Sequence, residues 1–123
     1  MFEELIDLTT SFLVGFRNIV KRHSLTSSQG FIIMAVDIGG TPMTSLSKKM
    51  GLDASTMTRN IEKLEKKQLV FRQRLSSDAR IVNVHLTELG KRTHKILSKE
   101  LGIYFGKKIT NRSEISNKLH RLI

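Results

Sequence analysis

Apolar residues recur near the start of the chain at Leu5, Ile6, Leu8, Phe12, Leu13, Phe16, Ile19 and Val20. Their gaps of three and four predict an α-helix over residues 2–22 with a wide apolar face. A lone surface helix needs less apolar area than this, so either the helix packs on its own domain or part of it meets a second chain. Thr26-Ser27-Ser28-Gln29 has the form of a capping box and predicts a second helix over residues 27–36. The breaker cluster Asp37-Ile38-Gly39-Gly40-Thr41-Pro42 reads as a loop. Thr44 is the expected cap of a short third helix ending at Met50, with Gly51 as its left-handed stop.

Asp53 is the expected N-cap of a fourth helix. Met57, Ile61 and Leu64 fall at i, i+4 and i+7 and define its buried stripe, which leaves Ser55, Thr56, Thr58, Arg59, Glu62, Lys63 and Lys66 facing outward. The period then changes to two over residues 69–75 and 81–86, and the polar Ser76-Ser77-Asp78-Ala79-Arg80 between them suits a hairpin tip. Thr87, with Gly90 three positions on, opens a fifth helix expected to reach about Lys108 and to bend or fray at Gly102 and Gly106. Ser113 is the expected cap of a last short helix whose apolar side is Ile115, Leu119, Leu122 and Ile123.

Composition narrows the class. A chain of 123 residues that is 39% apolar, with a single Pro, supports one domain with a real core, with or without helical arms. The absence of Cys excludes disulfides and a cysteine redox switch. Glu3, Glu4 and Asp7 stand where a signal peptide needs positive charge, and every uninterrupted apolar stretch is short, so a soluble cytoplasmic protein is expected. The net charge of +10 is uneven: from Lys48 to Lys108, fifteen Lys and Arg face six Asp and Glu, a local charge of +9. Such a field draws polyanions by releasing their counterions.

The order helix, turn, helix, two-stranded wing predicts a mostly α winged helix-turn-helix domain. In that arrangement the second helix of the pair enters the major groove of duplex DNA. Ser55, Thr56 and Thr58 are small enough for close approach and can hydrogen-bond to bases or phosphates, while Arg59 is the candidate for a two-pronged guanine contact. Lys63, on the same helix, and Thr44, at the start of the preceding one, complete the helical candidates, although lysines placed like Lys63, Lys66 and Lys67 more often form a solvated helix face than read bases. In the wing, Asp78 and Arg80 lie two apart, so the carboxylate can hold the guanidinium at an angle that suits the minor groove. Arg72 and Arg74 suit phosphate contacts. For Ser55 and Thr56 a simple capping role competes on equal terms, and Asp78–Arg80 taken alone could be an exposed ion pair of little energetic weight.

The run M-T-S-L-S-K-K-M-G-L-D-A-S-T-M-T-R-N-I-E-K-L-E-K-K-Q-L-V, the D-A-R of the wing tip and the closing L-T-E-L-G resemble the MarR-type transcriptional regulators. The resemblance covers residues 25–90 well and the flanking helices by pattern. It implies a homodimer joined through arms at residues 1–24 and 88–123, with a DNA-binding core at 25–87. It further implies that Arg80 is the wing arginine, that Ser55, Thr56, Thr58 and Arg59 lie on the recognition helix, and that each subunit places one winged helix on a palindromic operator. A small aromatic or amphipathic effector is implied in a crevice beside the arms, with Phe16, Ile19, His23 and Met34 as candidate lining residues; ordinary core packing is the competing reading for each.

The chain departs from the family at three points. Gln68 stands where Gly is usual after the recognition helix, the C-terminal helix is short, and the missing Cys excludes the peroxide-sensing mechanism. No metal or cofactor is expected, because His23, His85, His94 and His120 form no pair at ligand spacing. No enzyme is expected either, since no nucleophile signature, phosphate-binding Gly loop or H-E-x-x-H occurs. The rival from another class is a winged helix used as a protein-interaction module, such as an antirepressor or assembly factor.

Overall fold

Val20, Ile32, Ile33, Leu46, Met57, Ile61, Leu64, Val84 and Leu97 are shut off from solvent and come from almost every element of the chain. In this computed structural model, which describes residues 1–110 (side chains through 107), they form one core. Helices α1 (Phe2–Lys21), α2 (Ser27–Ala35), α3 (Met43–Met50), α4 (Ala54–Lys66) and α5 (Glu88–Thr110) surround a sheet of β1 (Thr41–Pro42), β2 (Val70–Arg74) and β3 (Val82–Leu86). The fold is a mostly helical winged helix. α5 runs unbroken past Gly102 and Gly106, while the cap at Ser113, its helix and His120 lie outside the described residues.

The local signals act as their chemistry requires. Gln29 N–H donates to Thr26 Oγ1 at 3.2 Å and Thr26 N–H donates to Gln29 Oε1 at 3.2 Å, closing the capping box of α2. Asp53 Oδ1 accepts from Thr56 N–H at 2.7 Å at the start of α4, whose Met57, Ile61 and Leu64 are all fully buried. Each such aliphatic side chain contributes roughly 1.5–3 kcal/mol on leaving water.

Two expectations are corrected. Thr44 does not cap α3: the helix already begins at Met43 after Pro42, and no side chain caps it. Residues 41–42 are not loop but strand β1, with Thr41 opposite Val84 and Pro42 opposite Asn83, so the sheet has three strands in the order β1-β3-β2. Lys67 stays exposed at the end of α4, as expected, but its ammonium also donates to the Ser24 carbonyl and to Gln29 Oε1.

The elements meet at tight junctions. Helix α3 ends on Gly51 at φ +66°, and α4 ends on Gln68 at φ +61°, in the left-handed region that favours Gly. A residue with a Cβ costs about 1 kcal/mol there. Gly90 allows α5 to start against the sheet, since a Cβ at this position would sit 2.0 Å from the Leu69 carbonyl oxygen.

Candidate nucleic-acid interface

Helix α4 and the wing stand side by side because Val70 and Val84 are buried on the sheet face that carries Arg72 and Arg74, while Phe71 and His85 stack at 5.1 Å on the opposite face. Between them and α3 runs an open cleft lined by Thr44, Ser47 and Lys48 of α3, Ala54 and Thr58 of α4, and Arg80 to Val82 of the wing. Three predicted candidates, Thr44, Thr58 and Arg80, therefore share one concave surface. Ser47 and Lys48 join them without having been singled out, although their i, i+3, i+4 relation to Thr44 would have put all three on one helix face.

The first turn of α4 is polar and locally satisfied. Ser55 Oγ donates to Asp53 Oδ1 at 2.8 Å, Thr58 Oγ1 to the Ala54 carbonyl at 2.9 Å, and an Arg59 Nη to Thr56 Oγ1 at 3.3 Å. The Thr56 N–H, and after it the Ser55 and Thr56 hydroxyls, hold the Asp53 carboxyl below the usual carboxylate range. The helix is capped by Asp53 and by neither Ser55 nor Thr56, yet the hydroxyls that could meet DNA already have partners, so the Ser55 and Thr58 protons must turn outward to donate to a phosphate or base. The lone pairs of the Ser55 and Thr58 hydroxyls remain open to a donor, while Thr56 Oγ1 already accepts from Arg59. Arg59 and Lys63 are exposed and project from the same helix.

At the wing tip Arg80 is fixed by Asp78 from three directions. The Arg80 backbone N–H donates to Asp78 Oδ1 at 3.0 Å, Nε to Oδ1 at 3.1 Å and an Nη to Oδ2 at 3.1 Å. The guanidinium first and the backbone N–H second pull the Asp78 carboxyl down, and the carboxylate in turn raises Arg80. The Arg80 side chain is nevertheless 90% exposed while Asp78 is 32% exposed, so the pair holds an outward cation against the loop. Leu75 N–H to the Ile81 carbonyl at 2.8 Å and Ile81 N–H to the Asp78 carbonyl at 3.0 Å close the tip.

The two other wing arginines, though exposed, are engaged by neighbouring groups of the protein. Arg72 pairs with Glu65 of α4 at 2.9 Å, and Arg74 donates to the Ala79 carbonyl at 2.7 Å. Both therefore brace the wing, Arg72 against the helix and Arg74 across the loop.

The candidate effector residues lie apart from that cleft, where α1 and α2 meet each other and α5. Phe16 and Ile19 are buried, Phe16 stacking on Phe31 at 4.1 Å, and Met34 is partly buried beside Ser98. His23 bonds Glu100 at 3.1 Å and borders a shallow surface with Ser24, Lys67, Leu69, Leu89 and Thr93. Among the described residues no three His, Cys, Asp or Glu side chains cluster as metal ligands, and no helix is long and apolar enough to cross a membrane.

Known proteins share this arrangement. The chain is similar to SarZ, a helix-turn-helix transcriptional regulator. It is 32% identical to SarZ of Staphylococcus haemolyticus over 108 residues, which are 85% of this chain and 74% of that one. With SarZ of Staphylococcus epidermidis the match is 33% over 84 residues, spanning 57% of that relative's length. A MarR transcriptional regulator from Methanosarcina mazei superposes with a TM-score of 0.78 at 26% identity, over 98% of this chain and 91% of that one. NadR, crystallised with 4-hydroxyphenylacetate, shares the fold at a TM-score of 0.81 and 24% identity, over 97% of this chain and 86% of its own. The MarR family profile matches residues 25–82, from the core residue Leu25 to the second wing strand. On its sequence and its fold, the chain belongs to the MarR family.

Proposed function

We propose that this protein is a sequence-specific regulator of transcription that binds double-stranded DNA. The observation that carries the reading is the cleft shared by α3, α4 and the wing, where Thr44, Thr58 and a pre-aimed Arg80 lie together beside Lys48. A helix N-terminus with small hydroxyls suits the major groove. An arginine held outward at the wing suits the narrow, electronegative minor groove. Ser55, Thr56, Arg59 and Lys63 extend the helical contact surface; Arg72 and Arg74 reach phosphate only at the edge of their present bonds.

The working unit in this proposal is a homodimer. Phe2, Ile6 and Leu13 of α1 are 75%, 63% and 51% exposed, apolar surface that a second copy would cover. Two heads related by a two-fold axis read a palindrome with half-sites about one helical turn apart. Occupancy of a promoter would then block the polymerase. Release by a small aromatic or amphipathic molecule near Phe16, Ile19, His23 and Met34 belongs to the same proposal, supported by the aromatic acid in NadR. Since Phe16 and Ile19 are closed off, such a ligand has to part the arm from the core.

The test is equilibrium binding to a duplex across a salt series. Binding through several phosphates falls steeply, with a log–log slope of about −0.9 per phosphate contacted. A flat dependence would favour the protein-interaction module.

A further inference from the structure

Three helices of this protein end with the same pair of backbone bonds, a left-handed residue whose N–H reaches back three positions and a following N–H that reaches back five. At α3 the left-handed residue is Gly51, whose own N–H reaches Lys48 while Leu52 N–H reaches Ser47. At α1 and α4 it is Ser24 at φ +60° and Gln68 at φ +61°, with Leu25 N–H to Val20 at 3.1 Å and Leu69 N–H to Leu64 at 3.0 Å. The two stops made without glycine carry the backbone cost of a Cβ in that region, and such conformations persist only where the surroundings over-determine them.

The surroundings are the buried Leu25 and Leu69 that follow the two stops, together with one cation and one threonine. The Lys67 ammonium, at the end of α4, donates to the Ser24 carbonyl at the end of α1 and, at 3.2 Å, to Gln29 Oε1 in the capping box of α2. On the other side of the same stop, Thr87 Oγ1 donates to the Gln68 carbonyl at 2.6 Å and Thr87 N–H to the Leu69 carbonyl at 3.0 Å, as α5 begins. The foot of α4 is thereby tied to the end of one arm and the start of the other.

We propose that Lys67 is a positioning residue for DNA reading. It contacts no DNA itself, but clasps the foot of α4 to the α1–α2 junction and fixes the angle between the helix that reads the groove and the arms. The part concerning DNA rests on the function proposed above; the angular constraint does not. A charged donor shared between two acceptors forms stronger bonds than a neutral one, and its acceptors lie on different elements, so its loss frees a rotation about the Gln68 and Ser24 stops. Without it, an arm movement would reach α4 only through apolar packing and the Thr87 tie.

The absence of Cys makes the angle directly measurable. Spin labels on exposed Arg17→Cys in α1 and Glu62→Cys in α4, in full-length chain diluted with unlabelled chain, report the distance distribution between arm and helix. With Lys67 present it should be narrow. Lys67→Met should broaden it at unchanged helix content, and Lys67→Arg, which can donate to both acceptors, should narrow it again. A Lys67→Met distribution as narrow as the parent's would overturn the clasp. Duplex binding adds a second readout: Lys67→Met should weaken affinity by about three- to ten-fold, the worth of one or two hydrogen bonds, with an unchanged salt slope. A slope reduced by about 0.9 would instead make Lys67 a phosphate contact and refute the positioning role. If the parent bound no duplex, the proposed function would fail, while the distance distributions would still decide the clasp.

Discussion

Helix α4 and the wing form two sides of one cleft, yet they are held by opposite kinds of force. α4 lies on three fully buried side chains, Met57, Ile61 and Leu64. The wing tip has no such anchor. Its shape comes from the triple hold of Asp78 on Arg80, the Arg74 bond to Ala79 and the Arg72–Glu65 pair, all at or near the surface. Apolar burial gives a seat indifferent to salt and pH, whereas exposed ion pairs contribute little stability and are screened. The wing's polar ties therefore serve aim more than folding. Damage to α4 should unfold the domain, and damage to the wing should misdirect one side chain.

The largest effect breaks the comparison from the helix side. Ile61→Ala or Leu64→Ala should cost about 2–5 kcal/mol of stability, because the cavity left cannot collapse fully. Urea denaturation would register it as a fall in midpoint, and binding should be lost with the fold. Next comes Arg80→Ala, expected to weaken binding to a selected duplex by about ten-fold or more, in the range for a specific arginine contact, with an unfolding midpoint close to the parent's. A purified, folded variant with full affinity would remove Arg80 from the interface. Smaller still is Asp78→Asn, which keeps the cation but releases its aim. A loss of about two- to ten-fold is expected, the cost of ordering one mobile side chain on binding, read by titration at fixed salt.

The weakest effect sharpens the comparison through pH. Asp78 is held below the usual carboxylate range, so its contribution is complete above the unfolded carboxyl value and is lost as pH falls through the lower folded value. Wing geometry should thus be constant between about pH 5 and 8 and loosen only in acid below the ordinary carboxylate range. A change in the Arg80 side-chain NMR signals near neutrality would show that Asp78 does not set its position.

The same contrast explains how far the sequence could be read. Signals within a few residues were legible: the capping box at Thr26 and Gln29, the left-handed stop at Gly51, the Asp53 cap, the stripe at Met57, Ile61 and Leu64, and the Asp78–Arg80 pairing. The partners that escaped are distant in sequence. Strand β1 has two residues, one of them Pro, so it shows no alternation and exists only because Val84 and Asn83 lie alongside. Arg72 reads as a free cation until Glu65 faces it. Lys67 belongs by periodicity to a solvated helix end, and only the fold brings the Ser24 carbonyl, 43 positions away, within its reach. For Phe16 and Ile19 ordinary core packing is the stronger reading of the sequence than an effector crevice, and the structure buries both.

The central claim is that the cleft between α4 and the wing reads duplex DNA by sequence. Selection from a random duplex pool at about 0.15 M salt, where non-specific phosphate binding is partly screened, tests it most directly. The account predicts enrichment of a palindrome with half-sites about one helical turn apart, and loss of that enrichment for Arg80→Ala. Retention of duplex without any enriched sequence, or no retention at all, would contradict it.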